Sequence, residues 1–69
     1  MLNWIKVKSS VLSGVCYIDN TLYLQFNNER IYLYYNVPSS VYDHLCQAPS
    51  LGKYFNQYIK DKYEYKRLN

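Results

Sequence analysis

The sequence predicts an α+β fold, a small three- to four-stranded antiparallel meander covered by two C-terminal helices, on the strength of three observations. Leu22, Leu24 and Phe26 alternate with Tyr23 and Gln25, the period of a strand with one buried face. Two further β-prone runs, residues 11–18 and 31–35, flank that strand across short polar turns. Beyond Pro38 the apolar residues recur every three or four positions, the spacing of a helix face. The 69 residues hold a single core, and residues 1–69 read as one domain without repeat or linker.

Taken in order, Trp4, Ile5 and Val7, interspersed with Lys6 and Lys8, supply a further short strand. The first long strand, 11–18, ends at Asp19-Asn20-Thr21, residues that form turns and tolerate left-handed backbone. Asn27-Asn28-Glu29-Arg30 makes the next polar turn and leads into Ile31-Tyr32-Leu33-Tyr34-Tyr35. Asn36-Val37-Pro38 breaks that strand. Ser39 or Ser40 then caps a helix, with Asp43 in the capping-box position for Ser40 and an apolar stripe at Val41, Leu45 and Ala48. Pro49 stops it, and Ser50 caps a second helix over 51–60 that is apolar at Leu51, Phe55 and Ile59. The tail, 61–69, alternates charged and aromatic residues and reads as a short edge strand or an extended arm.

A chain this small needs extra stabilisation, and the usual routes are narrow here. Cys16 falls in a strand and Cys46 in a helix with no paired spacing, so both read as small apolar packing residues rather than a disulfide framework. His44 is the single histidine and has no companions at ligand spacing; it reads as a helix-surface residue, and neither a metal nor a cofactor is expected. The uncharged stretch 9–18 is too short and too polar for a membrane span, and no signal peptide is expected. A reducing, cytoplasmic setting is the expectation. Homo-oligomerisation remains as the source of further buried area.

Ten tyrosines among 69 residues are too many for one small core. Tyr32 and Tyr34 share one strand face, while Ile31, Leu33 and Tyr35 share the other, so both faces are apolar. Such a strand is covered by helices on one side and by a second subunit or a ligand on the other, which marks Tyr32, Tyr34 and Tyr35 as interface candidates. Low-GC coding also raises tyrosine, and composition does not separate the two causes.

Charge is distributed unevenly. Residues 1–50 balance Lys6, Lys8 and Arg30 against Asp19, Glu29 and Asp43, so the net +3 belongs to the last 19 residues. There Lys53, Lys60, Lys62, Lys66 and Arg67 are interleaved with Tyr54, Tyr63 and Tyr65, a pattern in which cations neutralise phosphates and rings stack on bases. A solvated surface and an acidic protein partner are the other readings of the same cluster. Ser50 and Gly52 add the start of a helix, with free backbone N–H groups and a residue that permits close approach. No nucleophile with a base, no carboxylate pair and no phosphate-loop glycine pattern is present, so catalysis is not expected.

The ordered residues Ser9-Ser10, Gly14, Tyr17, Leu22 to Phe26, Tyr32-x-Tyr34, Val37-Pro38, Tyr42, Ala48, Ser50, Gly52, Tyr54-Phe55-Asn56, Ile59, Tyr63, Tyr65 and Arg67 resemble the KTSC family over residues 9–68. That domain takes its name from the C-terminus of some lysyl-tRNA synthetases and also occurs as stand-alone bacterial and phage proteins. The resemblance implies a suggested role in RNA binding and adds Asn56 to the candidate site. Glu29 and Asn36 depart from the family pattern, standing where glycine is common; Asn36 suits left-handed backbone, whereas Glu29 implies a different turn or a contact with a ligand.

Two functions follow as expectations. The first is a non-enzymatic module for RNA or another phosphate-bearing nucleotide ligand, using Ser50, Gly52, Lys53, Tyr54, Asn56, Lys60, Lys62, Tyr63, Tyr65, Lys66 and Arg67. The second is a phage-type accessory protein that sequesters a nucleotide signal or blocks a host defence protein by direct binding, in a bacterial cell.

Overall fold

The computed structural model describes residues 3–69. Five strands form one sheet in chain order: β1 (Ile5–Lys6), β2 (Leu12–Ile18), β3 (Thr21–Phe26), β4 (Ile31–Tyr34) and β5 (Tyr65–Arg67), each antiparallel to the next. Between β4 and β5 the chain makes two helical segments, α1 (Ser39–Gln47) and α2 (Leu51–Tyr54), the latter running into a π-helical turn over Phe55–Ile59. The fold is therefore α+β, with one strand more than the three or four expected. Both helices lie in the C-terminal half, after β4, and the tail returns as the edge strand β5.

Hairpin chemistry explains the register. Asp19 and Asn20 both take positive φ, 49° and 62°, between the paired residues Ile18 and Thr21, as a two-residue primed turn demands. Glu29 sits at φ 69°. It occupies the left-handed conformation that glycine adopts most easily. The turn is held by the Arg30 N–H donating to Asn28 Oδ1 at 3.1 Å and the Phe26 N–H donating to the Arg30 carbonyl at 2.8 Å.

A bulge between Leu12 and Gly14 shifts the register of β2. The Ser13 hydroxyl donates to the Gln25 and Phe26 carbonyls across it, each at 3.4 Å. With one residue added there, Leu12 and Val15 are both fully buried. They join Leu22, Leu24, Tyr34, Val37, Leu45, Phe55 and Ile59 in the core between sheet and helices. Full burial of each large aliphatic side chain stabilises by about 1.5–3 kcal/mol.

The helices are fixed to the sheet by aromatic contacts. Tyr17 of β2 and Tyr42 of α1 stack with centroids 4.8 Å apart and planes at 9°, and the Tyr17 hydroxyl donates to the Val37 carbonyl at 2.6 Å. Burial, aided by the neighbouring Cys46 thiol, pushes the Tyr42 phenol up to about 12. The start of α1 differs from the capping-box expectation. Pro38 occupies the N-cap with extended backbone and no side-chain cap forms, because proline already supplies the φ that the entry needs.

Ser50, by contrast, caps α2 as its sequence indicates, accepting from the Lys53 N–H at 3.3 Å. Of the two cysteines, Cys16 is buried as expected but Cys46 is exposed on α1. His44 is exposed, as read. The described residues contain no helix long and apolar enough to cross a membrane and no cluster of potential metal ligands.

Candidate functional site

Strand alternation and cross-strand register decide which side chains meet. Tyr32 pairs with Arg67 and Tyr34 with Tyr65, while Leu24 and Leu22 lie opposite Tyr32 and Tyr34 on β3. Directly opposed residues share a face, so these side chains occupy the helix-bearing side of the sheet. Leu33 pairs with Lys66 and Tyr23 on the other side.

Where α2 passes into the π-helical turn, the helical layer stops short of covering β4 and β5. The result is a groove of about 380 Å³. Its apolar part is Val11, Phe26, Tyr32, Tyr34, Phe55 and Tyr65, and its polar part is Asn28, Arg30, Asn56, Lys60 and Asp61. The rings form a connected set. Phe26 meets Tyr32 and Phe55 edge-on at 5.6 and 5.3 Å, Phe55 meets Tyr34 at 5.7 Å, and Tyr65 lies 5.8 Å from both Tyr32 and Tyr34.

Burial, with smaller contributions from the Tyr32 and Tyr65 phenols and the Asp61 carboxylate, pushes the Tyr34 phenol up to about 12. Tyr34 therefore stays protonated at neutral pH and is a hydrogen-bond donor and acceptor, not a base. The π-helical turn closes with the Lys60 N–H donating to the Phe55 carbonyl at 2.8 Å. The turn buries both Phe55 and Ile59, while Asn56, Lys60 and Asp61 line the groove.

The structure gathers only part of the sequence-derived site. Asn56, Lys60 and Tyr65 line the groove, together with Tyr32 and Tyr34 from the proposed interface set. Tyr34 is only 5% exposed and packs in its own chain's core. On the helix-bearing side, Phe55 and Tyr65 pack against Tyr34 from within the chain. Tyr35 lies outside the groove and is partly exposed.

Gly52 is also buried, and its space is taken. A Cβ there would come within 2.8 Å of Val11 Cγ2, so the close approach is to Val11 and not to a ligand. Lys53 is exposed on α2 beyond Ser50, and Tyr54 leans on Tyr58 with centroids 4.7 Å apart. Tyr63 packs on the core, and with Lys62 it lines a shallow depression that adjoins the groove through Asp61 and Tyr65. Lys66 points to the opposite sheet face, while Arg67 lies beside Tyr32 outside the groove lining.

Val11, Phe26, Asn28, Arg30, Phe55 and Asp61, which also line the groove, were missed as site residues. The signal available for Arg30 was the period-two pattern Arg30, Tyr32, Tyr34, which places the arginine on the same face as both tyrosines.

The sequence model of the KTSC domain matches residues 8–63. The chain belongs to the KTSC domain family. A crystal structure of a KTSC domain protein from Yersinia pestis superposes with a TM-score of 0.94 at 28% identity, covering all of both chains. A lysine–tRNA ligase of Nostoc punctiforme is 36% identical over 67 residues, which is 94% of this chain and 12% of the ligase. A lysine–tRNA ligase of Trichormus variabilis is 41% identical over 49 residues, 71% of this chain and 9% of the ligase. A protein of Tsukamurella paurometabola is 36% identical over 59 residues, 83% of this chain and 88% of its own length. The chain thus spans about an eighth or less of the ligases it matches and most of the Tsukamurella protein.

Proposed function

We propose that this KTSC domain is a non-enzymatic binding module for RNA or another phosphate-bearing nucleotide ligand, taken in the groove between β4, β5 and the π-helical turn. One observation carries the reading: five aromatic rings and two cations, Arg30 and Lys60, line the same groove. Aromatic faces stack on unpaired bases with little regard to sequence, and cations beside them hold phosphate. A volume of about 380 Å³ lies in the range of small-molecule sites and admits a splayed-out nucleotide. The lysine–tRNA ligase relatives, proteins named for a tRNA substrate, support RNA as the ligand class. The high phenol pKa of Tyr34 supports binding over proton-transfer chemistry.

The test is a titration of short single-stranded RNA against salt. Each phosphate contact contributes about 0.7 to the slope of log K on log salt for a single strand, so Arg30→Ala and Lys60→Ala should each reduce the slope by about that amount. Lys66→Ala, on the other face of the sheet, should change the affinity much less. No binding of RNA or nucleotides at low salt, or binding indifferent to both groove cations, overturns the proposal.

A further inference from the structure

Resting on that reading, we infer that the groove selects guanine, the Asp61 carboxylate accepting from the N1–H and N2–H donors on the Watson–Crick edge of the base. The polar lining has mixed sign: Arg30 and Lys60 favour an anion, whereas Asp61 opposes one. A ligand that satisfies all three has a phosphate at one end and hydrogen-bond donors at the other. An ionised carboxylate offers two acceptor oxygens and no donor.

The nucleobases differ sharply in what they present to such a group. Guanine places two N–H donors side by side, matching both oxygens. Adenine and cytosine set one amino donor beside a ring nitrogen whose lone pair faces the carboxylate, and uracil flanks its single N–H with carbonyl oxygens. Guanine's O6 acceptor then needs a donor. Asn28 has one available, since its Oδ1 accepts from the Arg30 N–H while its amide nitrogen is left to donate, and Asn56 lines the same groove.

Asp61 is also held in place. Its φ is 63°, and the Lys60 and Lys62 N–H groups on either side donate to the Phe55 and Ile59 carbonyls at 2.8 and 3.1 Å. It lines the same groove as Tyr32, Tyr34 and Tyr65, the rings on which a base would stack.

Calorimetric titration of the full 69-residue chain with GMP, IMP and AMP tests the assignment, comparing wild type with Asp61→Asn. Asparagine keeps the left-handed backbone, so the variant folds, and circular dichroism checks that it does. GMP should bind about tenfold or more tighter than AMP, the scale of one bidentate contact, with IMP between them because it lacks the N2 amino group. Asp61→Asn should remove the preference for GMP while AMP binding persists. GMP and AMP within about twofold of each other, a preference for AMP, or a ratio unchanged in Asp61→Asn overturns guanine selection but leaves nucleotide binding standing. If none of the three nucleotides binds and short RNA does not bind either, both conclusions fall.

Discussion

Replacing Gly52 with alanine sets two opposing effects against each other, and the contact with Val11 decides the sign. In a helix, alanine is favoured over glycine by up to about 1 kcal/mol, so on propensity alone Gly52→Ala stabilises. The new Cβ, however, would lie 2.8 Å from Val11 Cγ2 and 3.2 Å from Val11 Cβ. Valine is stiff about χ1 and cannot swing its methyl away without moving its strand neighbours. Overpacking of this kind costs about 1–3 kcal/mol, which leaves a net loss of about 1 kcal/mol. For a domain of this size that lowers Tm by about 4–8 °C. Thermal and urea unfolding followed by circular dichroism measure it, with Val11→Ala as the second arm of a double-mutant cycle. Once the Val11 methyls are gone, Gly52→Ala should become neutral or stabilising, giving a coupling of about 1–2 kcal/mol. A Gly52→Ala variant at least as stable as wild type, or one equally destabilised in both backgrounds, refutes the packing account.

Three other outcomes are expected. Leu24 is fully buried, so Leu24→Ala should cost about 2–5 kcal/mol, a large part of the stability of so small a domain, and denaturant titration will register it as a collapsed midpoint. Glu29→Gly should raise the unfolding midpoint by about 1 kcal/mol in the same assay, because glycine relieves the left-handed backbone at φ 69°; a drop would mean that the carboxylate makes a contact worth more than the strain. At alkaline pH the Tyr34 and Tyr42 phenols should ionise last in a phenolate absorbance titration, since both are pushed up to about 12 from a usual value of 10. A raised folded-state pKa gives stability that is complete below pH 10 and is lost as pH rises toward 12, so the domain should unfold across that interval. Unfolding complete before pH 10 would contradict this assignment.

Several features were legible in the residues because they depend on neighbours in the chain. The alternation at Leu22, Leu24 and Phe26 gave β3, Asp19-Asn20 gave its turn, and Ser50 gave the cap of α2. Each reflects local backbone geometry or one-sided burial, which periodicity and turn chemistry record directly. Local reading failed where two local signals competed, as at α1, where Pro38 took the N-cap that Ser39 and Ser40 also suited. It failed again at Gly52, whose proximity to the start of a helix said nothing of the Val11 side chain packed against it from a distant strand end.

The groove belongs to the tertiary structure. Counting charge placed the basic surface in the last third of the chain, yet Arg30 comes from the electrically balanced first part, and Lys66 lies on the opposite face of the sheet. The pairing of β4 with β5, thirty and more residues apart, sets Tyr65 beside Tyr32 and Tyr34, and the π-helical turn sets Phe55, Asn56 and Lys60 against them. By itself the sequence determined the α+β class, the family resemblance, most strand and helix positions and the aromatic and basic material of a binding surface. Only the tertiary structure decided which of those side chains meet, because a groove forms where packing leaves space between non-local elements, and no spacing along one segment encodes that space.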